Sequence, residues 1–176
     1  ISTDADPYTS VYMGGTMGVV PTLYYDFDVN DKRRDISVVA FRWADGYQEL
    51  TRPSMMTCGK LRAEWKDTSL PKFSANANHG ITPTILRYAD VLLMFAEAVN
   101  ECPDIQGLYL ARAKEEFVKV RERAGIETDQ TQLDDPQAFR ELLRNERGRE
   151  LAFAGLRKSD LIRWGIFVDR MHNAAT

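Results

Sequence analysis

"NERGRELAFAGLRKSDLIRWG", residues 145–165, mixes acids and arginines with large apolar residues, and how those charges are accommodated decides the fold. The run continues a helical pattern that begins in "DDPQAFRELL" (134–143). Asp135 is placed to cap that helix, Pro136 suits its first turn, where a missing N–H costs nothing, and Gly155 is expected to end it. At about 100° per residue, Glu146 and Glu150 fall within about 20° of Phe139, so both carboxylates point where the core should be. Arg147 and Arg149 flank them. A buried carboxylate without a partner is strongly unfavourable, so each needs a cation or a proton.

Three chemistries fit two acids one turn apart. A hydrolase acid/base pair would set its carboxylates across a cleft, about 5–9 Å apart. Two acids on one stripe beside Phe139 and Phe153 leave no evident room for a sugar. An anion-collecting patch needs convergent arginines, yet Arg144, Arg147, Arg149 and Arg157 spread around the helix. The third reading is structural: Glu146 and Glu150 pair with Arg147, Arg149, Arg157, Arg163 or Arg87 inside a helical stack. This is the reading expected here.

Upstream, "TPTILRYADVLLMFAEAVNE" (82–101) carries a helical period. Thr82 can cap it and Pro83 can open it. Ile85, Ala89, Leu92, Ala96 and Val99 form one apolar stripe, while Val91, Met94 and Ala98 form another on the opposite side. A helix apolar on two faces is expected in the middle of a stack. "LYLARAKEEFVKVRERAG" (108–125) places Tyr109, Ala113, Phe117, Val120 and Ala124 on one face, with Gly125 as its left-handed stop. "CPDIQG" (102–107) and "IETDQTQLDD" (126–135) read as loops, and a short last helix starts at Ser159. The two central helices resemble a tetratricopeptide-like hairpin, although a six-residue "CPDIQG" loop is long for that repeat.

Residues 1–81 lack any sustained period. "ISVVAFRW" (36–43) is the best extended segment, following the turn-like "VNDKRRD". Around it lie "VVPTLYYDFD" and "KFSANANHG". The expected organisation is therefore an irregular, loop-rich segment over 1–81 with short strands or helices, and an α-helical scaffold over 82–176. The fold class is mainly α, a tetratricopeptide-like scaffold with little β.

Composition narrows the function. The chain has 176 residues, 44% apolar and 28% charged, with a net charge of -3, which is ordinary for a globular protein. Mean hydropathy is -0.39 and the pI is near 5.5. Nucleic acid is not an expected partner, because a polyphosphate needs clustered positive charge. Residues 136–165 hold seven Arg or Lys against four acids, so the remainder carries about -6. Cys58 and Cys102 are compatible with one bridge or two free thiols, and neither they nor His79 and His172 have metal-ligand spacing. "DFDVND" (Asp26, Asp28, Asp31) alternates acids as a calcium loop does, but lacks the glycine and glutamate such a loop requires, and is read as a solvated turn. No cofactor or metal is expected. No apolar run approaches the roughly 18–20 residues of a membrane span, and no signal-peptide pattern is expected among these residues. The opening "ISTDADPYTSVYMGGTMG" reads as the middle of something, so the chain is expected to be a piece of a longer protein.

Taken in order, R-Y-A-D-V-L-L with A-E-A (87–98), V-R-E-R-A-G (120–125) and E-R-G-R-E-L-A-F-A-G-L-R-K-S-D-L-I-R-W-G (146–165) resemble the carboxy-terminal part of the SusD/RagB family. "DFDVNDKRRDISVV" is similar to a segment that precedes those helices in the family. The resemblance covers residues 82–165 closely and implies a good deal beyond periodicity. Family members are outer-membrane, cell-surface lipoproteins of Bacteroidetes-type bacteria, anchored by a lipid on a part outside this chain. They bind oligosaccharides or other nutrients without catalysis and deliver them to a TonB-dependent, SusC-like transporter. The resemblance assigns the charged stretch, Trp164 included, to the scaffold. It places ligand contacts in variable loops, where aromatic faces stack on sugars. On this chain Trp43, Tyr47 and Trp65 are the candidates, with Asp45 and Gln48 as polar neighbours; packing in the irregular half is the competing role, and Tyr24 and Tyr25 rank below them. The alternative function is a tetratricopeptide-like module that binds protein or peptide, which requires convergent polar side chains on the helical hairpin.

Overall fold

Two consecutive aspartate caps organise the helical part of the chain. Asp129 accepts a hydrogen bond from the Thr131 N–H at 2.9 Å and Asp135 one from the Gln137 N–H at 2.9 Å, satisfying donors that a helix start leaves unpaired. The computed structural model describes residues 18–60 and 84–174. The chain divides into two compact units, residues 1–83 and 84–176, and the described residues form eight α-helices and four short strands. The fold is mainly α with a loop-rich first unit, as the sequence implies.

In the first unit, α1 (Pro21–Tyr25) and α2 (Arg34–Ser37) flank a turn, followed by β1 (Val38–Val39), β2 (Phe41–Ala44), β3 (Tyr47–Leu50), a 3-10 turn at Pro53–Met55 and β4 (Thr57–Cys58). β1 pairs with β4 antiparallel, and β2 with β3. Val19, Phe27, Val38, Val39 and Met56 are buried here. In the "DFDVND" turn Asp26 and Asp28 are exposed, as expected of a solvated turn, and Asp31 is the exception among its acids. Asp31 is buried and takes the Arg33 guanidinium on both oxygens, at 2.9 and 2.7 Å, while also accepting the Arg33 N–H. A carboxylate held by a two-pronged guanidinium is satisfied even when dry.

The second unit runs α3 (Tyr88–Glu101), α4 (Pro103–Arg123), α5 (Gln130–Asp134), α6 (Pro136–Glu150), α7 (Arg157–Arg163) and α8 (Phe167–Ala174). α3 packs against α4 and α6, and α5 against α6. Leu93, Ala96, Val99, Ala113, Phe117, Val120, Phe139 and Leu143 form the core. The Phe117 and Phe139 rings meet edge to face, 5.2 Å apart, a geometry aromatic quadrupoles favour. Asn100 extends its amide to the Pro136 carbonyl at 3.1 Å and so ties the end of α3 to the start of α6.

Several boundaries differ from the sequence expectation. α3 begins at Tyr88 behind Arg87; Thr84–Arg87 are not helical, Ile85 is exposed, and Thr82 and Pro83 lie outside the described residues. "CPDIQG" is not a loop. Pro103 opens α4 directly after Cys102, Asp104 occupies its first turn, and Ile105 packs against the core, so one residue joins the two long helices. This tight connection removes the objection to a tetratricopeptide-like hairpin. "IETDQTQLDD" contains α5, pinned by buried Leu133. α6 ends at Glu150 rather than Gly155, because Phe153 adopts a φ of 64° and Gly155 one of 77°. α7 starts two residues before Ser159, and α8 follows it. Among the described residues the second apolar stripe of α3 is left open, with Val91 and Met94 40% and 42% exposed. Gly125 does take the left-handed conformation at the end of α4, with φ 80°.

Candidate functional site

The dipeptide Asp45-Gly46 sets the geometry of the predicted ligand-contact segment. Asp45 at φ 49° and Gly46 at φ 82° form the two-residue turn whose twist matches that of paired strands. The resulting β2–β3 hairpin pairs Trp43 with Gln48 and Ala44 with Tyr47, and Arg42 bonds Glu49 across the strands at 3.0 Å. Successive strand positions alternate faces, so Tyr47 and Gln48 belong to opposite faces of the ribbon. Tyr47 is 77% exposed, and Asp45 and Gln48 are exposed as well. The structure thus gathers Trp43, Asp45, Tyr47 and Gln48 on one hairpin, while Trp65 lies outside the described residues. Tyr24 is engaged elsewhere. Its hydroxyl donates to Asp35 at 3.1 Å and its ring lies under the Arg34 guanidinium. Burial, with that carboxylate beside it, raises its pKa.

The charged stretch of α6 and α7 resolves into three buried groups. Glu146, fully buried, receives the Arg121 guanidinium at 3.1 Å and lies 3.5 Å from Arg149. Glu150 receives Arg123 at 2.7 Å and Arg87 at 3.2 Å, and the Glu150 carbonyl accepts from Arg87 too. Arg147, itself buried, forks between Asp160 of α7, at 2.9 and 3.1 Å, and Asp90 of α3, at 2.8 Å. Arg163 and the Trp164 indole N–H both donate to Glu97, and that hydrogen bonding raises the Arg163 pKa. The arginines of α6 and α7 stack around Trp164, with Arg144, Arg157 and Arg163 guanidinium carbons 5.3, 5.7 and 4.8 Å from its ring.

Arg149 and Arg87 are thus partners of these two acids, as expected from the sequence. Arg147, Arg157 and Arg163 serve other groups. The residues the sequence reading missed are Arg121 and Arg123, two apart at the end of α4. Their signal lies in V-R-E-R-A-G itself: charges on the last turn of a helix whose neighbouring positions, Val120 and Ala124, are buried. With guanidinium groups on Oε2 of Glu146 and Oε1 of Glu150, and both side chains shielded from water, these acids present no carboxylate to a substrate. Cys58 and Cys102 are free thiols. No group of three or more His, Cys, Asp or Glu among the described residues is arranged to hold a metal ion.

Comparison with known proteins gives a consistent picture. Residues 51–176 match the SusD family. A SusD-like protein of Formosa agariphila is 37% identical over 147 residues, which is 81% of this chain and 24% of that protein. The crystal structure of a SusD homologue from Bacteroides thetaiotaomicron superposes with a TM-score of 0.68 at 33% identity, covering 85% of this chain and 33% of that one. The chain therefore spans about a quarter to a third of these relatives.

Proposed function

This chain belongs to the SusD family, and from that premise we propose that it is part of a cell-surface protein that binds oligosaccharide or another nutrient without transforming it. SusD-family proteins are binding proteins rather than enzymes, typically associated with the outer membrane and with a SusC-like transporter. Delivery of ligand to a TonB-dependent transporter and attachment through a lipid on another part of the protein belong to the same proposal. The observation that carries it is the family match over residues 51–176, whose charged motif serves as a scaffold clasp rather than as chemistry. The engaged state of Glu146 and Glu150 supports a non-catalytic role.

Within this reading the β2–β3 hairpin and Trp65 supply ligand contacts: Tyr47 and Trp43 as stacking platforms, Asp45 and Gln48 as partners for hydroxyls. Tyr47 is the most telling test, because so exposed a ring contributes little to folding. Tyr47→Ala should leave the unfolding midpoint unchanged and weaken oligosaccharide binding about fivefold, as expected for loss of a stacked ring worth about 1 kcal/mol. Calorimetric titration with a panel of neutral and acidic oligosaccharides reads this directly. No binding across the panel by the full-length protein would sink the proposal, and unaltered affinity in Tyr47→Ala would remove the hairpin from it.

The one-residue connection between α3 and α4 favours a second reading, a tetratricopeptide-like module that binds protein or peptide. It predicts saturable capture of a peptide by the α3–α4 hairpin, measurable by the same titration with oligosaccharide absent.

A further inference from the structure

A cleft of about 500 Å³ opens between α3 and α4, sharing no residue with the β2–β3 hairpin and bordering the clasp through Arg87 and Arg123. Ala89, Leu92 and Val120 give it an apolar floor, and Tyr88, 73% exposed, stands at its side. Four cations line it: Arg87, Arg112, Lys119 and Arg123. Glu116 is the one acid among the lining residues. Two further carboxylates touch these cations, Glu150 buried beneath Arg87 and Arg123, and Glu115 beside Arg112 and Lys119. The cluster remains net positive even when all three acids are counted.

Two buried carboxylates hold the cations from below, and exposed Glu115 also pairs with Arg112 and Lys119 at the rim. Glu116, buried, takes Arg112 and Lys119, and Glu150 takes Arg87 and Arg123 from below. Arg112 and Arg123 nonetheless keep 60% of their side-chain surface in solvent. Carboxylates behind guanidinium groups fix their orientation and leave outward N–H groups for a further acceptor. A concave site of this volume with an apolar floor, an aromatic edge and a few fixed polar groups has the composition of a small-ligand pocket.

We propose that this cleft binds the anionic group of an acidic saccharide, a carboxylate or sulfate held by Arg112, Lys119 and Arg123, with the sugar ring against Tyr88. The proposal rests on the oligosaccharide-binding reading and narrows it to acidic sugars. A saccharide fits better than an acidic peptide, because the cations surround a single compact hollow rather than line a long groove.

The test titrates the full chain with trigalacturonate, with its uncharged methyl ester and with a sulfated trisaccharide, alongside Arg112→Gln and Tyr88→Ala. Binding of an acidic probe at least tenfold tighter than of the ester, weakening as salt rises, is the expected result. Each variant should lose at least fivefold in affinity for that probe. Arg112→Gln leaves Lys119 on Glu116, and Tyr88→Ala touches no charge, so circular dichroism should show both folded. Preference for the carboxylated or the sulfated probe identifies the source of the anion. Equal binding of ester and acid would overturn the inference while leaving oligosaccharide binding standing, and so would wild-type affinity in both variants. Tighter binding of a pentaglutamate peptide than of either acidic sugar would replace the saccharide with a protein partner. Absence of binding by every saccharide, neutral ones included, would remove the broader reading with it.

Discussion

Arg147 concentrates the physics of the clasp in one side chain. It is buried, charged and bonded to acids on two other helices, Asp90 of α3 and Asp160 of α7. Buried ion pairs add little over apolar packing, yet removing one partner strands the others. Arg147→Met should therefore destabilise the protein by about 3–5 kcal/mol, read as a lower midpoint in urea unfolding. Arg147→Lys keeps the charge but cannot fork between two carboxylates, so it should also lose stability, by less. Glu101 gives a milder, pH-dependent case. The Arg140 guanidinium bonded to it holds its carboxyl below the ordinary value of 4.5. A depressed folded pKa contributes stability that is present above the unfolded value and lost as pH falls through the folded one. Glu101→Gln should thus lower stability slightly at pH 7, by well under ~1 kcal/mol for so exposed a pair, read as a small drop in melting temperature. That deficit should shrink as pH falls below the ordinary carboxylate value and the folded carboxyl takes up its proton. A difference that stayed constant with pH would assign the effect to packing instead. Pairing for Glu146 and Glu150 was legible because their positions on the wheel demanded it. The identity of Arg121 and Arg123 was not, since those partners come from a helix more than twenty residues away.

At the scale of the element, Gly148 explains how α6 and α7 come together. A glycine in the middle of a helix is unfavourable by up to about 1 kcal/mol relative to alanine. Here a Cβ would sit 3.1 Å from the Arg157 guanidinium carbon. Without one, Arg157 crosses α6, donates to the Arg144 carbonyl at 2.9 Å and faces the Trp164 ring. Gly148→Ala should consequently stabilise the Arg157→Ala variant by about 1 kcal/mol and the parent by clearly less. Equal gains in both backgrounds, measured by urea unfolding, would show that the close approach does not matter. A cap beside proline marked the start of α6 at Asp135-Pro136 but not that of α3, which begins at Tyr88 rather than at Thr82-Pro83. The start of α4 was missed because Cys-Pro-Asp followed by Gly107 has the composition of a turn. The same proline is an ordinary first-turn residue once Ile105 finds the core.

At the scale of the whole molecule, the described residues of the helical unit bury one face of α3 and leave the other open. Val91 and Met94 sit on that exposed face, so Met94→Gln should move the unfolding free energy of this chain by no more than about 0.5 kcal/mol. A larger loss would mean that the face is covered after all. Periodicity detected two apolar stripes on α3, but it cannot say which of them this chain covers. The same limit applied to the ligand-contact residues: the sequence reading grouped Trp43, Asp45, Tyr47 and Gln48, whereas the β2–β3 hairpin sets Tyr47 and Gln48 on opposite faces.

The sequence alone determined the mainly helical class, the caps at Asp135 and Gly125, the burial of Glu146 and Glu150, and the motif order that marks the family, because each is written in local spacing. Tertiary structure decided which arginine meets which acid, which face of α3 is buried and where four distant cations converge on one cleft. Those outcomes depend on contacts between residues far apart in the chain, and local spacing carries no record of them.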